Sequence, residues 1–161
     1  MRGVAGCSAR TLPRSSQIET TRLYRLLFLD FDGVLHPTFA RPSQWLAHAP
    51  ALANVLANKQ CEVVISSSWR FHYSLEGIRA MLPSLRSRVS HCTGVALACR
   101  HARYEEIRAH LALRMEMVDW YALNDSRYEF PEACTRAIFC DPSCGLAEGE
   151  LRVLHDWLHR Q

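Results

Sequence analysis

The sequence predicts an open α/β fold, a mostly parallel sheet covered by helices on both faces. Three observations predict it. Short apolar runs near residues 24–30, 61–66, 117–123 and 136–140 alternate with segments of helical period. The runs are apolar nearly throughout, as strands buried on both faces are. The first three end abruptly in polar groups: Asp30 and Asp32, then Ser66-Ser67-Ser68, then Asn124-Asp125. In an open parallel sheet ligands gather at the strand carboxyl ends.

Residues 1–22 carry Arg2, Arg10, Arg14 and Arg22, several serines and threonines and one acid, Glu19. They lack both an amphipathic apolar face and a secretory apolar core, so they read as a disordered extension or as the product of an upstream start codon. A single domain then spans residues 23–161. Its first strand covers Tyr24 to Asp30, and a loop with Pro37 and Pro42 follows. A helix begins near Pro50, a good first-turn residue, and turns Leu52, Val55 and Leu56 inward. Residues 61–66 form a second buried strand. A helix over 74–82 aligns Leu75, Ile78 and Leu82. The stretch 84–99 reads either as a loop or as a short strand around Val89. A helix over 101–114 aligns Tyr104, Ile107 and Leu111. Residues 117–123 form a third strand and 136–140 a short one ending at Asp141. The last helix, 147–159, buries Leu151, Leu154, Trp157 and Leu158.

Composition narrows the class. The chain has 161 residues, 48% of them hydrophobic, which suits one domain with an adequate core. No apolar run approaches the ~20 residues of a membrane helix. A net charge of +3 is too mild to argue for nucleic acid by itself. Arginine outnumbers lysine heavily, with Lys59 the sole lysine, a pattern expected from genome base composition. The seven cysteines are odd in number and form no C-x-x-C pair, so reduced thiols and a cytoplasmic location are expected. Cys140 and Cys144 with His155 and His159 do not have a usual zinc spacing, and Asp141-Pro142 intervenes.

Asp30 and Asp32 carry the chemistry. Two carboxylates one residue apart at the end of a buried strand need a cation. Magnesium is the economical choice, since it accepts carboxylates from separate strands and keeps several waters. Hydroxyls at the start of a helix, as in Ser66-Ser67, suit phosphate oxygens. A basic side chain would balance the charge of a transferring group. Considered alone, Asp32-Gly33 could instead be a simple turn.

Asp30-Phe31-Asp32-Gly33-Val34 resembles the first motif of the haloacid dehalogenase (HAD) superfamily, and Val63-Val64-Ile65-Ser66 resembles the second. Asn124-Asp125 takes the place of the acidic fourth motif. Arg103, in Arg103-Tyr104-Glu105-Glu106-Ile107, is the candidate for the basic third motif, with Arg100 and Arg108 as alternatives. The series Asp-Gly-Val-Leu-His-Pro, Ile-Ser-Ser-Ser-Trp-Arg, Glu-Ile and a late Gly-Leu is similar to a small HAD subgroup related to domains of bacterial RNA-repair multidomain proteins. The resemblance covers about residues 24–158.

The resemblance implies a three-layer Rossmann-like fold. Only about 18 residues separate Val34 from the first helix, so no large cap domain is expected. It implies a magnesium-dependent phosphohydrolase working through an aspartyl-phosphate. Asp30 would attack phosphorus and Asp32 would act as acid and base. Asp30, the Asp32 backbone carbonyl and Asp125, with Asn124, would hold Mg2+. Ser66, Ser67 and Arg103 would bind the phosphate, and Arg70 and His36 would contact substrate. An open site suits a large phosphorylated substrate such as a nucleic-acid end. The fourth motif departs from the subgroup, which has Leu-Asp-Asp where this chain has Leu123-Asn124-Asp125. The alternative is therefore a weak or inactive phosphate-binding domain. A dehalogenase would not need Asp32.

Overall fold

A computed structural model describes residues 24–95 and 99–160. The N-terminal extension expected over residues 1–22 lies outside the described residues. Among the described residues there are five strands: β1 (Tyr24–Leu29), β2 (Glu62–Ile65), β3 (Val89–Cys92), β4 (Val118–Asn124) and β5 (Ala137–Phe139). They form one sheet of order β3-β2-β1-β4-β5, and every pairing is parallel. The chain runs outward from β1 to β3, then returns to the other side of β1 for β4. That reversal makes the carboxyl ends of β1 and β4 the natural crevice.

Among the described residues four helices cover the sheet: α1 (Ala49–Leu56), α2 (Leu75–Met81), α3 (Ala102–Ala112) and α4 (Glu148–His159). The period of two in β1 divides the core. Leu27 and Leu29 join Leu52 and Leu56 of α1, Ile78 of α2 and Leu154, Trp157 and Leu158 of α4 on one face. Leu26 and Phe28 join Ile107 of α3 and Phe130 on the other. The result is a three-layer α/β fold without a large cap domain, as its sequence predicts.

Local chemistry starts the helices. Pro50 lies in the first turn of α1. Ser74 Oγ accepts from Gly77 N–H (3.1 Å) to cap α2. Glu148 and Glu150 occupy the first turn of α4, where acids suit the helix dipole. The ambiguous stretch 84–99 supplies β3 at one edge of the sheet. Among the described residues no helix is long and apolar enough to cross a membrane.

Candidate active site

Register brings the polar strand ends level. Leu29 pairs with Ile65 on one side and Leu123 on the other. The next residues, Asp30, Ser66 and Asn124, therefore emerge together. Asp30 N–H still donates to Leu123 O (3.1 Å), and Ser66 N–H to Leu29 O (2.9 Å).

Asp30 is buried at the bottom of the site. Its Oδ1 accepts from Phe31 N–H (2.8 Å) and its Oδ2 from Asn124 Nδ2 (2.8 Å). Arg103 NH2 lies 3.9 Å from Oδ2, in ion-pair range. Burial pushes the Asp30 carboxyl up to about 6, against Arg103, the Phe31 amide and the Ser67 hydroxyl, which favour the anion; the Asp125 charge adds to the rise. Asn124 is fully employed, because its Oδ1 accepts from Ser126 N–H (2.7 Å). Turning the amide over would set oxygen against carboxylate and NH2 against N–H, so its orientation is determined.

Asp32 is placed differently. Its side chain is 43% exposed and is held at both oxygens. Trp69 Nε1–H donates to Oδ2 (3.0 Å), and His36 Nε2 meets Oδ1 at 3.1 Å. Leu46 N–H donates to His36 Nδ1 (3.3 Å), so the His36 proton sits on Nε2 and points at Asp32. Burial lowers the His36 pKa, keeping the ring neutral although Asp32 favours its cation.

Gly33, next after Asp32, turns the chain against Asp125. Its φ is +66°, and a Cβ there would overlap Asp125, reaching Cγ at 2.6 Å. Burial and the charge of Asp32 push the Asp125 carboxyl up, while the Thr38 hydroxyl and Arg103 favour its anion. A cavity of about 690 Å3 opens beside Asp125, between Ser126, Tyr128 and Pro142. The late Gly-Leu braces the same loop from below. Gly145, at φ +76°, lets the backbone close on Val34 O, which accepts from Leu146 N–H (2.8 Å).

Beside Asp30 lie two arginines, Arg70 and Arg103. Arg103 NH1 donates to Glu106 Oε2 (2.6 Å), and its Nε faces Glu129 Oε2 at 3.4 Å. Arg70 donates to Glu106 Oε1 (2.5 Å) and to Ser67 O (2.6 Å). Glu106 is thus the centre of a buried Arg–Glu–Arg bridge. The Nε atoms of Arg70 and Arg103 are buried without a hydrogen bond. Ser67 Oγ accepts from Trp69 N–H (3.4 Å) as well as serving Asp30. Arg70 and His36, expected against substrate, are turned inward to Glu106 and Asp32.

Sequence reasoning missed Glu106 as the bridge and Trp69 as the donor to Asp32. For Glu106 a signal existed: it lies three residues after Arg103 on the helix face that carries Ile107. Nothing in the sequence joins Trp69 to a residue 37 positions away.

A family model described as the HAD domain in Swiss Army Knife RNA repair proteins matches residues 26–151. The chain belongs to the HAD superfamily. No curated protein and no solved structure matches it significantly. Membership in the HAD superfamily implies potential hydrolase activity. HAD proteins often use Mg2+, although among the described residues no three His, Cys, Asp or Glu side chains form a metal-holding group. Asp125 feels the charge of Asp32 and Asp30 that of Asp125, and Mg2+ asks for only one or two carboxylates beside waters and substrate oxygens.

Proposed function

We propose that this HAD domain is a Mg2+-dependent phosphohydrolase acting on a large phosphorylated substrate, a nucleic-acid end in particular. The observation that carries it is the division between two neighbouring carboxylates. Asp30 is buried, oriented by Phe31 N–H and Asn124, and paired with Arg103. Asp32 is half-exposed and held by two neutral donors. The first arrangement suits a nucleophile and the second a proton carrier.

In the proposed reaction an Asp30 oxygen attacks phosphorus in line and the bond to the leaving oxygen breaks. Asp32 gives that oxygen its proton. It then takes a proton from the water that cleaves the aspartyl-phosphate. Arg103 and the Ser66-Ser67 segment hold the phosphoryl oxygens. Asp30, the Asp32 carbonyl oxygen and Asp125 would hold Mg2+, which supplies positive charge to let one anion approach another. Asn124, with both amide groups engaged, orients Asp30. The open site and the family's link to RNA-repair proteins favour a nucleic-acid end as substrate. The unpaired thiols of Cys61, Cys92, Cys99, Cys134, Cys140 and Cys144 suit a reducing cytoplasm.

The test is hydrolysis of p-nitrophenyl phosphate with and without Mg2+. Wild type turns over only with the metal and Asp30→Asn does not. Equal background rates for both proteins would refute the proposal. The Asn124 amide favours a second reading, a phosphate-binding domain without turnover. That reading expects Mg2+ and phosphate to raise Tm with no hydrolysis, and it fails if beryllofluoride traps an adduct and turnover is measured.

A further inference from the structure

The segments flanking Asp32 build an aromatic rim that the proposed chemistry leaves unused. Trp69 is buried beneath it, with its Nε1–H on Asp32. Trp45 and Tyr73 stand beside Trp69, ring centroids 5.2 and 5.7 Å away, and are 44% and 43% exposed. Leu46, next to Trp45, has φ +60°, a conformation a bulky side chain adopts only under strain. Exposed aromatic side chains gathered at a catalytic group are a contact surface rather than scattered exposure.

The charge of the rim is one-sided. Residues 33–61 and 66–75, which build it, contain no Asp or Glu. Arg41 and His72 are exposed on the same two segments, four residues before Trp45 and one before Tyr73.

We propose that Trp45 and Tyr73 form a stacking platform for the terminal base of a phosphorylated nucleic-acid strand. The inference rests on the hydrolase reading and adds the residues that would select its nucleic-acid end. The leaving oxygen must sit at Asp32. Trp69 is the first ring beyond that point, and Trp45 and Tyr73 are the next. An aryl phosphate carries its ring directly on the leaving oxygen and would not reach the exposed pair. A nucleotide interposes a sugar, which spans that gap and delivers the base to the outer rings. The acid-free rim with Arg41 and His72 accepts the neighbouring phosphates of a strand. Stacking of this kind tolerates any base.

The experiment compares kcat/KM for 5′- and 3′-phosphorylated oligoadenylate, ribose 5-phosphate, phenyl phosphate and a phosphotyrosine peptide in wild type, Trp45→Ala and Tyr73→Ala. Wild type should prefer one of the oligonucleotides over ribose 5-phosphate and phenyl phosphate by about tenfold or more, and each variant should lower that preference about tenfold. A wild-type preference near one, a preference unchanged in both variants, or a preference for the peptide overturns the platform. Binding is read separately by tryptophan fluorescence in Asp30→Asn protein. Oligoadenylate should quench it, with Kd at least about tenfold weaker in the double variant Asp30→Asn, Tyr73→Ala. Quenching that requires Tyr73, without turnover by wild type, refutes the hydrolase reading and supports the platform. Turnover of all phosphates alike, with no quenching, overturns the platform and leaves the hydrolase reading standing.

Discussion

Asn124→Asp restores an acid where the fourth motif of related domains has one, and the structure gives its cost. Asn124 Nδ2 donates to Asp30 Oδ2 at 2.8 Å, and both residues are buried. An ionised aspartate in place of Asn124 would set two carboxylates at that distance. Their repulsion is about 6 kcal/mol at an effective dielectric constant near 20, beyond the lost hydrogen bond. A protonated carboxyl is the cheaper form, since its O–H can donate to Asp30 as the amide does. Holding that proton costs what it costs an ordinary aspartate of pKa 3.8, about 1.4 kcal/mol per pH unit above that value. Above pH 6, where Asp30 of wild type is ionised, the metal-free variant should therefore lie about 4 kcal/mol below wild type at pH 7 and about 6 kcal/mol below at pH 8. The sign follows from proton binding: the native variant holds one proton more than its unfolded chain, so its stability falls as pH rises. Urea unfolding in EDTA from pH 6 to 8 measures the difference. Added Mg2+ should replace the proton and raise Tm more in the variant than in wild type. A gap independent of pH, or wild-type stability at pH 8, would refute the placement of the Asn124 amide on Asp30.

Three further outcomes follow from the same geometry. The Asp30 carboxyl rises from 3.8 to about 6 in the native state, so ionising it destabilises the metal-free fold; in EDTA, the stability of wild type relative to Asp30→Asn should fall by about 2 kcal/mol between pH 4 and pH 7 and then stay level. Trp69→Phe keeps a ring against Phe31 but removes the Nε1–H on Asp32, so kcat should drop about tenfold while urea unfolding changes by about 1 kcal/mol. Glu106→Ala leaves Arg70 and Arg103 buried without their shared acid and should lose about 3–5 kcal/mol in urea unfolding, and a loss under about 1 kcal/mol would show that the bridge contributes little.

The strands β1, β2 and β4 were legible because each is an apolar run stopped by a polar residue, which is what a strand buried on both faces and ending at a site must look like. Edge strand β3 was legible only as an alternative to a loop around Val89. Val89-Ser90-His91-Cys92 is buried at its first residue only, so it carries no apolar run to read. Asp30 and Asp32 were legible as a pair, because charge at the end of a buried strand has few structural uses. Orientation was less legible. His36 turns to the catalytic candidate Asp32 itself, and Arg70 to the buried acid Glu106. Glu106 lies in a helical run of charged residues that reads as a solvated face. Its burial depends on Arg70, which arrives from another strand end.

The charge of the site explains why a neutral Asn124 is tolerable. Asp30, Asp32, Asp125 and Glu106 face Arg70 and Arg103. Glu106 offsets Arg70, and Arg103 is shared among Asp30, Glu106 and Glu129. The centre is therefore negative, and in the proposed reaction a phosphate dianion approaching it would call for a divalent cation. A second acid at position 124 would strengthen the hold on that cation, but it would leave Asp30 facing a like charge whenever the cation is absent. The amide does the opposite. It orients Asp30 at all times and gives up one charged ligand. In the proposed reaction this predicts a nucleophile already aligned in the metal-free protein and a weaker dependence of fold on metal, with Mg2+ recruited chiefly alongside the substrate phosphate, whose oxygens complete its shell.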